Sequence, residues 1–144
     1  MPMAKQSIPS NLSSARVLGL DVGDARIGVA GAGLIAKIPE PLTVLKNDDS
    51  AIAEIDKLAV SEGAATIVVG LPRDQHGAET EQSAKARSFA NILEQKTDYK
   101  IVFADESLSS KRAEAMLKDS GKDLARLDAF AACFILEEFF NQEL

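Results

Sequence analysis

Residues 17–30 read V-L-G-L-D-V-G-D-A-R-I-G-V-A, and their pattern predicts how the fold begins. Residues 16–22 are apolar and β-branched, and residues 26–31 repeat that character, so both segments are predicted strands. Only three residues separate them, and so short a gap predicts an antiparallel hairpin. One side chain does not suit a buried strand. Asp21 carries a carboxylate, which is costly in a low-dielectric site unless it is paired, hydrogen-bonded or metal-bound.

After the hairpin, the hydrophobic pattern alternates between helical and strand periods. In chain order it predicts a third antiparallel strand from residues 33–37 and 43–45, a helix capped by Asp48 or Asp49 and ended by Gly63, a strand at 66–70, a helix at 79–95, a strand at 100–104, and helices at 108–118 and 124–140. The helix at 79–95 is expected to turn Phe89, Ile92 and Leu93 inward. This order predicts an α/β fold with a mixed five-stranded sheet, three antiparallel strands followed by two parallel strands, and helices on both faces.

Length and composition fit one globular domain. The chain has 144 residues, of which 46% are hydrophobic and 26% charged. We expect a flexible tail at residues 1–14, rich in Ser and Pro, followed by a single domain at residues 15–144. There is no apolar run that could span a bilayer and no secretory signal, and the one cysteine, Cys133, lies in an apolar helical run. These features predict a cytoplasmic protein that has no membrane partner.

The net charge of −6 argues against a general nucleic-acid binder, which usually carries a basic face. The charge is uneven, however. Residues 111–126 contain Lys111, Arg112, Lys118, Lys122 and Arg126. Such a local patch can bind phosphates, although a solvated helix face explains it equally well.

Three acidic residues stand out by their positions. Asp21 lies in the first strand, and Glu106 follows the last predicted strand, at the edge where ligands bind in open α/β sheets. Asp128 lies on a largely apolar stripe of the last helix, together with Ala131 and Ile135. If these carboxylates converge, their repulsion requires a cation. Oxygen ligands select Mg²⁺ or Mn²⁺, and two such ions about 4 Å apart suit phosphodiester hydrolysis.

The residues alone also allow simpler roles. Asp21 could cap the turn that follows it, Glu106 could be an ordinary strand exit, and Asp128 could be the N-cap or a first-turn acid of its helix. The only histidine, His76, lies in a polar loop, so nucleophilic catalysis by a Ser–His pair is not expected.

Five motifs resemble, in order, those of the YqgF/RuvX family, a branch of the RNase H-like superfamily. They are G-L-D-V-G-D-A-R-I-G-V-A, I-V-V-G-L-P-R-D-Q-H-G, A-K-A-R-S-F-A, A-D-E-S-L-S-S and L-D-A-F-A-A, and the resemblance covers residues 16–140. It implies an RNase H-like three-layer fold and a divalent-metal nuclease with two Mg²⁺ or Mn²⁺ ions. The acids carried over as catalytic residues and metal ligands are Asp21, Glu106 and Asp128.

The same resemblance implies a role in 5′-end maturation of pre-16S rRNA, with structured RNA as substrate and a ribosomal particle as a candidate partner. The family is also described as Holliday junction resolvases, which makes a four-way DNA junction the alternative substrate. A resolvase ordinarily cuts two strands as a symmetric dimer, and the sequence leaves the oligomeric state open.

This chain departs from the family pattern in two places. Ser107 stands where the family usually has arginine, which removes a cation that could contact phosphate. The segment before Asp128 is shorter and less basic than usual, and Lys122 and Arg126 restore part of its charge. Arg26 and Arg73 are further candidate phosphate contacts.

Two other classes of function remain in view. The first hairpin also resembles the phosphate-binding hairpin of actin-like ATPases, but those proteins need two such domains and a second phosphate loop. A catalytically inactive nucleic-acid-binding module is also compatible with the acidic composition and with Ser107.

Overall fold

The computed structural model describes residues 15–106 and 124–142. In those ranges the elements are β1 (Arg16–Val22), β2 (Arg26–Gly33), β3 (Glu40–Lys46), α1 (Ala51–Glu62), β4 (Ala64–Pro72), α2 (Glu81–Lys96), β5 (Lys100–Glu106) and α3 (Leu124–Gln142). The strands form one sheet in the order β3-β2-β1-β4-β5. β1, β2 and β3 pair antiparallel, whereas β4 pairs parallel with β1 and β5. The predicted mixed sheet is therefore confirmed.

The sheet lies between two helical layers, because alternate side chains of each strand point to opposite faces. On one face Leu18 and Leu20 of β1 pack in a core with Ile55 of α1 and Leu93 of α2. On the other face Val17 joins the core cluster of α3, whose buried members are Ala132, Cys133, Ile135, Leu136 and Phe140. Helices on both faces are thus confirmed, and Cys133 is a small core residue as predicted.

The third strand differs from its prediction. Residues 34–36 form a turn, and β3 begins only at Glu40, so the segment at 33–37 was wrongly assigned to it. Backbone geometry explains the difference, since Lys37 has a positive φ of 57° that an extended strand does not allow. β3 nevertheless contains Pro41, which an edge strand tolerates because one side of its backbone has no pairing partner.

Two helix predictions also need correction. The residue that precedes α1 is Ser50, not Asp48 or Asp49, and the Asp48 carboxylate instead accepts hydrogen bonds from the Ser50 amide and hydroxyl. In α2, Ile92 was predicted to face inward but is 45% exposed, because the buried stripe runs through Ala86, Ala90 and Leu93. The end of α1 agrees with its prediction, since Gly63 adopts the left-handed conformation at φ +70°.

Several predictions fall outside the described residues: the tail at 1–14, the helix at 108–118, and the roles of Ser107 and Lys122. None of the helices in the described ranges is long and apolar enough to cross a membrane.

The start of α2 is fixed to the end of β4 by a buried serine. Ser83 is fully buried, its hydroxyl donates to the Pro72 carbonyl, and it forms a capping box with Thr80. We expect Ser83→Ala to lower the free energy of unfolding by about 2 kcal/mol, because it leaves a buried carbonyl and a helix-cap amide without their partner. Urea denaturation measures this, with Ser88→Ala on the exposed face of the same helix as the matched control. Equal stability of the two variants would contradict the assigned role.

Candidate functional site

The three acids singled out by the sequence lie on the α3 side of the sheet. Asp21 follows Val17 and Gly19 along the face of β1 that α3 covers. Glu106 ends β5 with the same orientation as Ala104, which packs against α3. Asp128 belongs to α3 itself. β4 separates β1 from β5, so the fold brings carboxylates from two strands and one helix to one end of the sheet.

Two glycines allow α3 to approach the sheet closely at this end. Gly28 pairs with Asp21 across the hairpin, and a Cβ at Gly28 would lie 1.9 Å from the backbone oxygen of Asp128. A Cβ at Gly70 of β4 would lie 2.4 Å from a side-chain carbon of Ile135 and 3.4 Å from Oε1 of Glu106. Sequence reasoning did not use these glycines, although a glycine inside a strand is a known signal of close backbone approach.

The electrostatics show that the acids influence one another. Burial, followed by the charge of Asp128, raises the pKa of Asp21 to about 6. Burial, followed by the charge of Asp21, raises the pKa of Glu106 to about 8. Within the described residues, neither of these two carboxylates forms a hydrogen bond or an ion pair. Asp21 thus stands between the other two acids, and the site carries negative charge that is only partly neutralised.

Asp128 is the one acid of the three with a charged partner in the described residues. Nε of Arg26 lies 2.6 Å from Oδ2 of Asp128, and this ion pair joins residues 102 positions apart in the sequence. The Asp128 side chain is 26% exposed and that of Arg26 is 47% exposed. The guanidinium therefore tethers the start of β2 to α3 at the rim of the site.

The simpler roles considered for Asp21 and Asp128 find little support, whereas Glu106 does lie at the end of its strand. The turn after β1 is held by Asn47, whose amide group donates to the Gly23 carbonyl, and by an ion pair of Asp24 with Lys85. Asp21 takes no part in those contacts. The first turn of α3 contains no acidic residue, so Asp128 is not a first-turn acid.

Two other predicted phosphate contacts, Arg73 and Arg126, have partners in the described residues, and the third, Lys122, lies outside those residues. Arg73 pairs with Asp105 at 3.0 Å and with Glu79 at 3.7 Å, and Glu79 also binds Arg87. This network ties the loop after β4 to the end of β5, directly beside Glu106. Arg126 lies over the ring of Phe130, with 5.3 Å between its guanidinium carbon and the ring centre. His76 is exposed in its loop, as predicted.

The donor set suits a hard divalent ion, since carboxylate oxygens are the ligands that Mg²⁺ and Mn²⁺ prefer. Two of the three acids have no cation partner in the ranges the structure describes. A bound ion would offset the repulsion and the burial that raise their pKa values. As placed, however, no three His, Cys, Asp or Glu side chains within residues 15–106 and 124–142 are arranged to hold a metal ion. The residue types fit the ion, and binding requires the side chains to adjust.

The raised pKa values predict how stability depends on pH in the metal-free protein. Folded Asp21 and Glu106 bind protons more tightly than they do in the unfolded chain, so the free energy of unfolding falls as pH rises from about 4 to about 8. We expect a loss on the order of 2 kcal/mol between about pH 5 and pH 8. Denaturant titrations with a chelator present measure it, and Glu106→Gln should remove most of the slope. Stability that stays flat or rises over this range would contradict the assignment.

The overall fold is similar to that of two solved structures that contain Holliday junction DNA. A fowlpox virus resolvase in complex with Holliday junction DNA superposes with a TM-score of 0.55, at 10% identity over 90% of this chain and 99% of the resolvase. T. thermophilus RuvC with its Holliday junction substrate gives 0.55 at 13% identity, covering 90% and 96% of the two chains. At these identities the likeness establishes the fold, which is RNase H-like.

Proteins that are similar in sequence indicate more closely which class of protein this chain belongs to. A family model described as "RuvX: Holliday junction resolvase" matches residues 15–142. A "Putative pre-16S rRNA nuclease" of Thiobacillus denitrificans is 40% identical over 134 residues, covering 89% of this chain and 92% of the relative. A protein of the same name from Chloroflexus aggregans is 35% identical over 136 residues, covering 90% and 96%. The chain is therefore a nuclease, an enzyme that hydrolyses phosphodiester bonds. It belongs to the RuvX family.

Proposed function

We propose that this protein is a divalent-metal-dependent endonuclease that matures the 5′ end of pre-16S rRNA in the cytoplasm, with Asp21, Glu106 and Asp128 as its catalytic, metal-binding acids. One observation carries the site assignment. Two partly buried carboxylates without a cation partner among the described residues stand beside a third carboxylate at the carboxyl end of the parallel strands. Carboxylates that serve only to stabilise a fold are rarely arranged in this way, because their mutual repulsion and their desolvation both destabilise the folded state.

The roles of the chain's own residues follow from their positions. Asp21, Glu106 and Asp128 would together hold two Mg²⁺ or Mn²⁺ ions. When bound, such ions lower the pKa of an attacking water and stabilise the charge on the leaving oxygen. Gly28 and Gly70 keep α3 close enough for Asp128 to join the site. The network of Arg73, Glu79 and Asp105 holds the end of β5 and so positions Glu106.

The substrate proposal rests on the relatives, whose names specify pre-16S rRNA. The second candidate, a four-way DNA junction, is favoured by the family description and by the shared fold of two resolvases determined with junction DNA. Both substrates contain the phosphodiester bonds that the three acids are proposed to hydrolyse. Arg26, Arg73, Arg126 and Lys122 remain candidate phosphate contacts. A ribosomal particle remains the candidate partner.

Cleavage of two substrates by one pair of proteins tests this proposal. Wild type and Glu106→Gln are incubated, with Mg²⁺ or Mn²⁺, with a 16S rRNA 5′-precursor fragment and with a synthetic four-way DNA junction. We expect metal-dependent cleavage of the RNA by the wild type only. Paired symmetric cuts in the junction would instead assign a resolvase. Tight binding of RNA without cleavage under either ion would indicate a nucleic-acid-binding module.

A further inference from the structure

The ion pair of Arg26 with Asp128 occupies one of the carboxylate oxygens of the candidate site. An ion held by Asp128 needs a carboxylate oxygen, and Oδ2 already accepts a charge-assisted hydrogen bond of 2.6 Å from Arg26. The single positive charge of Arg26 also repels an incoming cation. In this arrangement, which includes the pair, no three His, Cys, Asp or Glu side chains within residues 15–106 and 124–142 are placed to hold an ion.

We infer that the Arg26 guanidinium competes with the divalent ion for the Asp128 carboxylate. Once the ion has bound, the Arg26 side chain moves to a substrate phosphate. This inference rests on the proposed function, because it assumes that Asp128 is a metal ligand. Arg26 is thereby a positioning residue in the metal-free protein and a substrate contact in the loaded one.

The backbone of Arg26 is fixed, so the exchange needs only a side-chain rotation. Its carbonyl accepts a hydrogen bond of 2.8 Å from the Gly23 amide, and it pairs with Lys46 across to β3. The side chain is 47% exposed, and it uses Nε to bind Asp128, which leaves its remaining N–H donors for other partners. A guanidinium binds phosphate oxygens through two parallel hydrogen bonds, and a phosphodiester backbone supplies those oxygens.

The competing explanation is that the pair only ties β2 to α3. The two explanations predict opposite changes in the affinity for the ion when the pair is removed. A structural tie, once removed, would loosen Asp128 and weaken ion binding. Removing a competitor would free Asp128 and strengthen it. A matched variant, Lys85→Ala, distinguishes competition for Asp128 from a general effect of removing a positive charge. Lys85 forms a similar half-exposed ion pair with Asp24, at 2.9 Å, away from the three acids.

Calorimetric titration with Mn²⁺ tests the inference on the full-length protein. We expect Arg26→Ala to bind Mn²⁺ about two- to fivefold more tightly than wild type, the range that a partly exposed ion pair supports, and Lys85→Ala to bind as wild type does. In the Asp128→Asn background, Arg26→Ala should give no further gain. At saturating Mn²⁺, the KM of Arg26→Ala for the precursor RNA should rise about fivefold or more, with a smaller change in kcat.

The outcomes separate two kinds of failure. Unchanged or weaker Mn²⁺ binding by Arg26→Ala would overturn the inference alone, provided that binding is lost in Asp21→Asn. The inference is equally overturned by a gain that persists in Asp128→Asn or appears in Lys85→Ala, because either shows a general charge effect. Wild-type protein that binds no Mn²⁺ through Asp21 would remove the proposed metal site, and the inference with it.

Discussion

Asp21→Asn should abolish metal-dependent cleavage while leaving the metal-free protein as stable as wild type or more stable. Asp21 is the acid that interacts with both of the others, so its loss should cost about a thousandfold or more in rate, equivalent to several kcal/mol of transition-state stabilisation. The amide has nearly the same shape as the carboxylate but no charge. Substitution therefore removes both the desolvation cost and the repulsion that raise the pKa of Asp21.

Two measurements on the same samples check this prediction: cleavage of the precursor RNA with Mg²⁺, and thermal denaturation with a chelator. Asp24→Asn is the matched control, because Asp24 lies three residues away, is exposed, and pairs with Lys85 outside the cluster of acids. The control should cleave at nearly the wild-type rate. A marked fall in melting temperature of metal-free Asp21→Asn would show that Asp21 has a structural role, and retained cleavage would remove it from the catalytic site.

Gly28→Ala should have the largest effect on stability, and it should also inactivate the enzyme. The added Cβ would lie 1.9 Å from the Asp128 carbonyl oxygen and 3.0 Å from the Ala129 amide nitrogen. Both atoms belong to helix backbone, which cannot rotate away as a side chain can, so α3 must move off the sheet. We expect a loss of about 3 kcal/mol in the free energy of unfolding, at the upper end for overpacking. Displacement of Asp128 should also lower the cleavage rate.

The control for this prediction lies in the same strand. Gly33→Ala introduces a Cβ whose nearest neighbour is 3.9 Å away, an ordinary contact, so its stability and activity should match those of the wild type. Urea denaturation compares the two variants, and cleavage assays follow under conditions in which both are folded. A Gly28→Ala protein with wild-type stability would mean that α3 does not press on β2 at this position.

Most of the fold could be predicted from local pattern, because each strand and helix carries its own periodicity. The hairpin of β1 and β2, the buried strand β4 and the long helix α3 all follow from apolar spacing and turn residues. The third strand could not be located so well. Apolar residues continue through the turn at 34–36 and up to residue 38, but Leu34, Ile35 and Ile38 are all exposed, and hydrophobicity alone does not reveal that exposure.

The acids of the candidate site could be predicted from the sequence, but the residues that pair with them could not. An acid inside an apolar strand and another on an apolar helix stripe are visible as local exceptions to patterning. The pair of Arg26 and Asp128 spans 102 positions, and the link of Arg73 to Asp105 spans 32, so neither follows from sequence spacing. The close approach at Gly28 depends on where α3 crosses the sheet, which only the packed structure defines.

If Asp21, Glu106 and Asp128 together form a divalent-metal centre, a bound ion should be visible beside them. Crystals of the protein grown with Mn²⁺ test it most directly, through an anomalous difference map collected near the manganese absorption edge. We expect anomalous peaks at about 2.0–2.2 Å from carboxylate oxygens of all three acids, with Arg26 turned away from Asp128. At saturating Mn²⁺, peaks at other residues, or no peak beside Asp21, would contradict it.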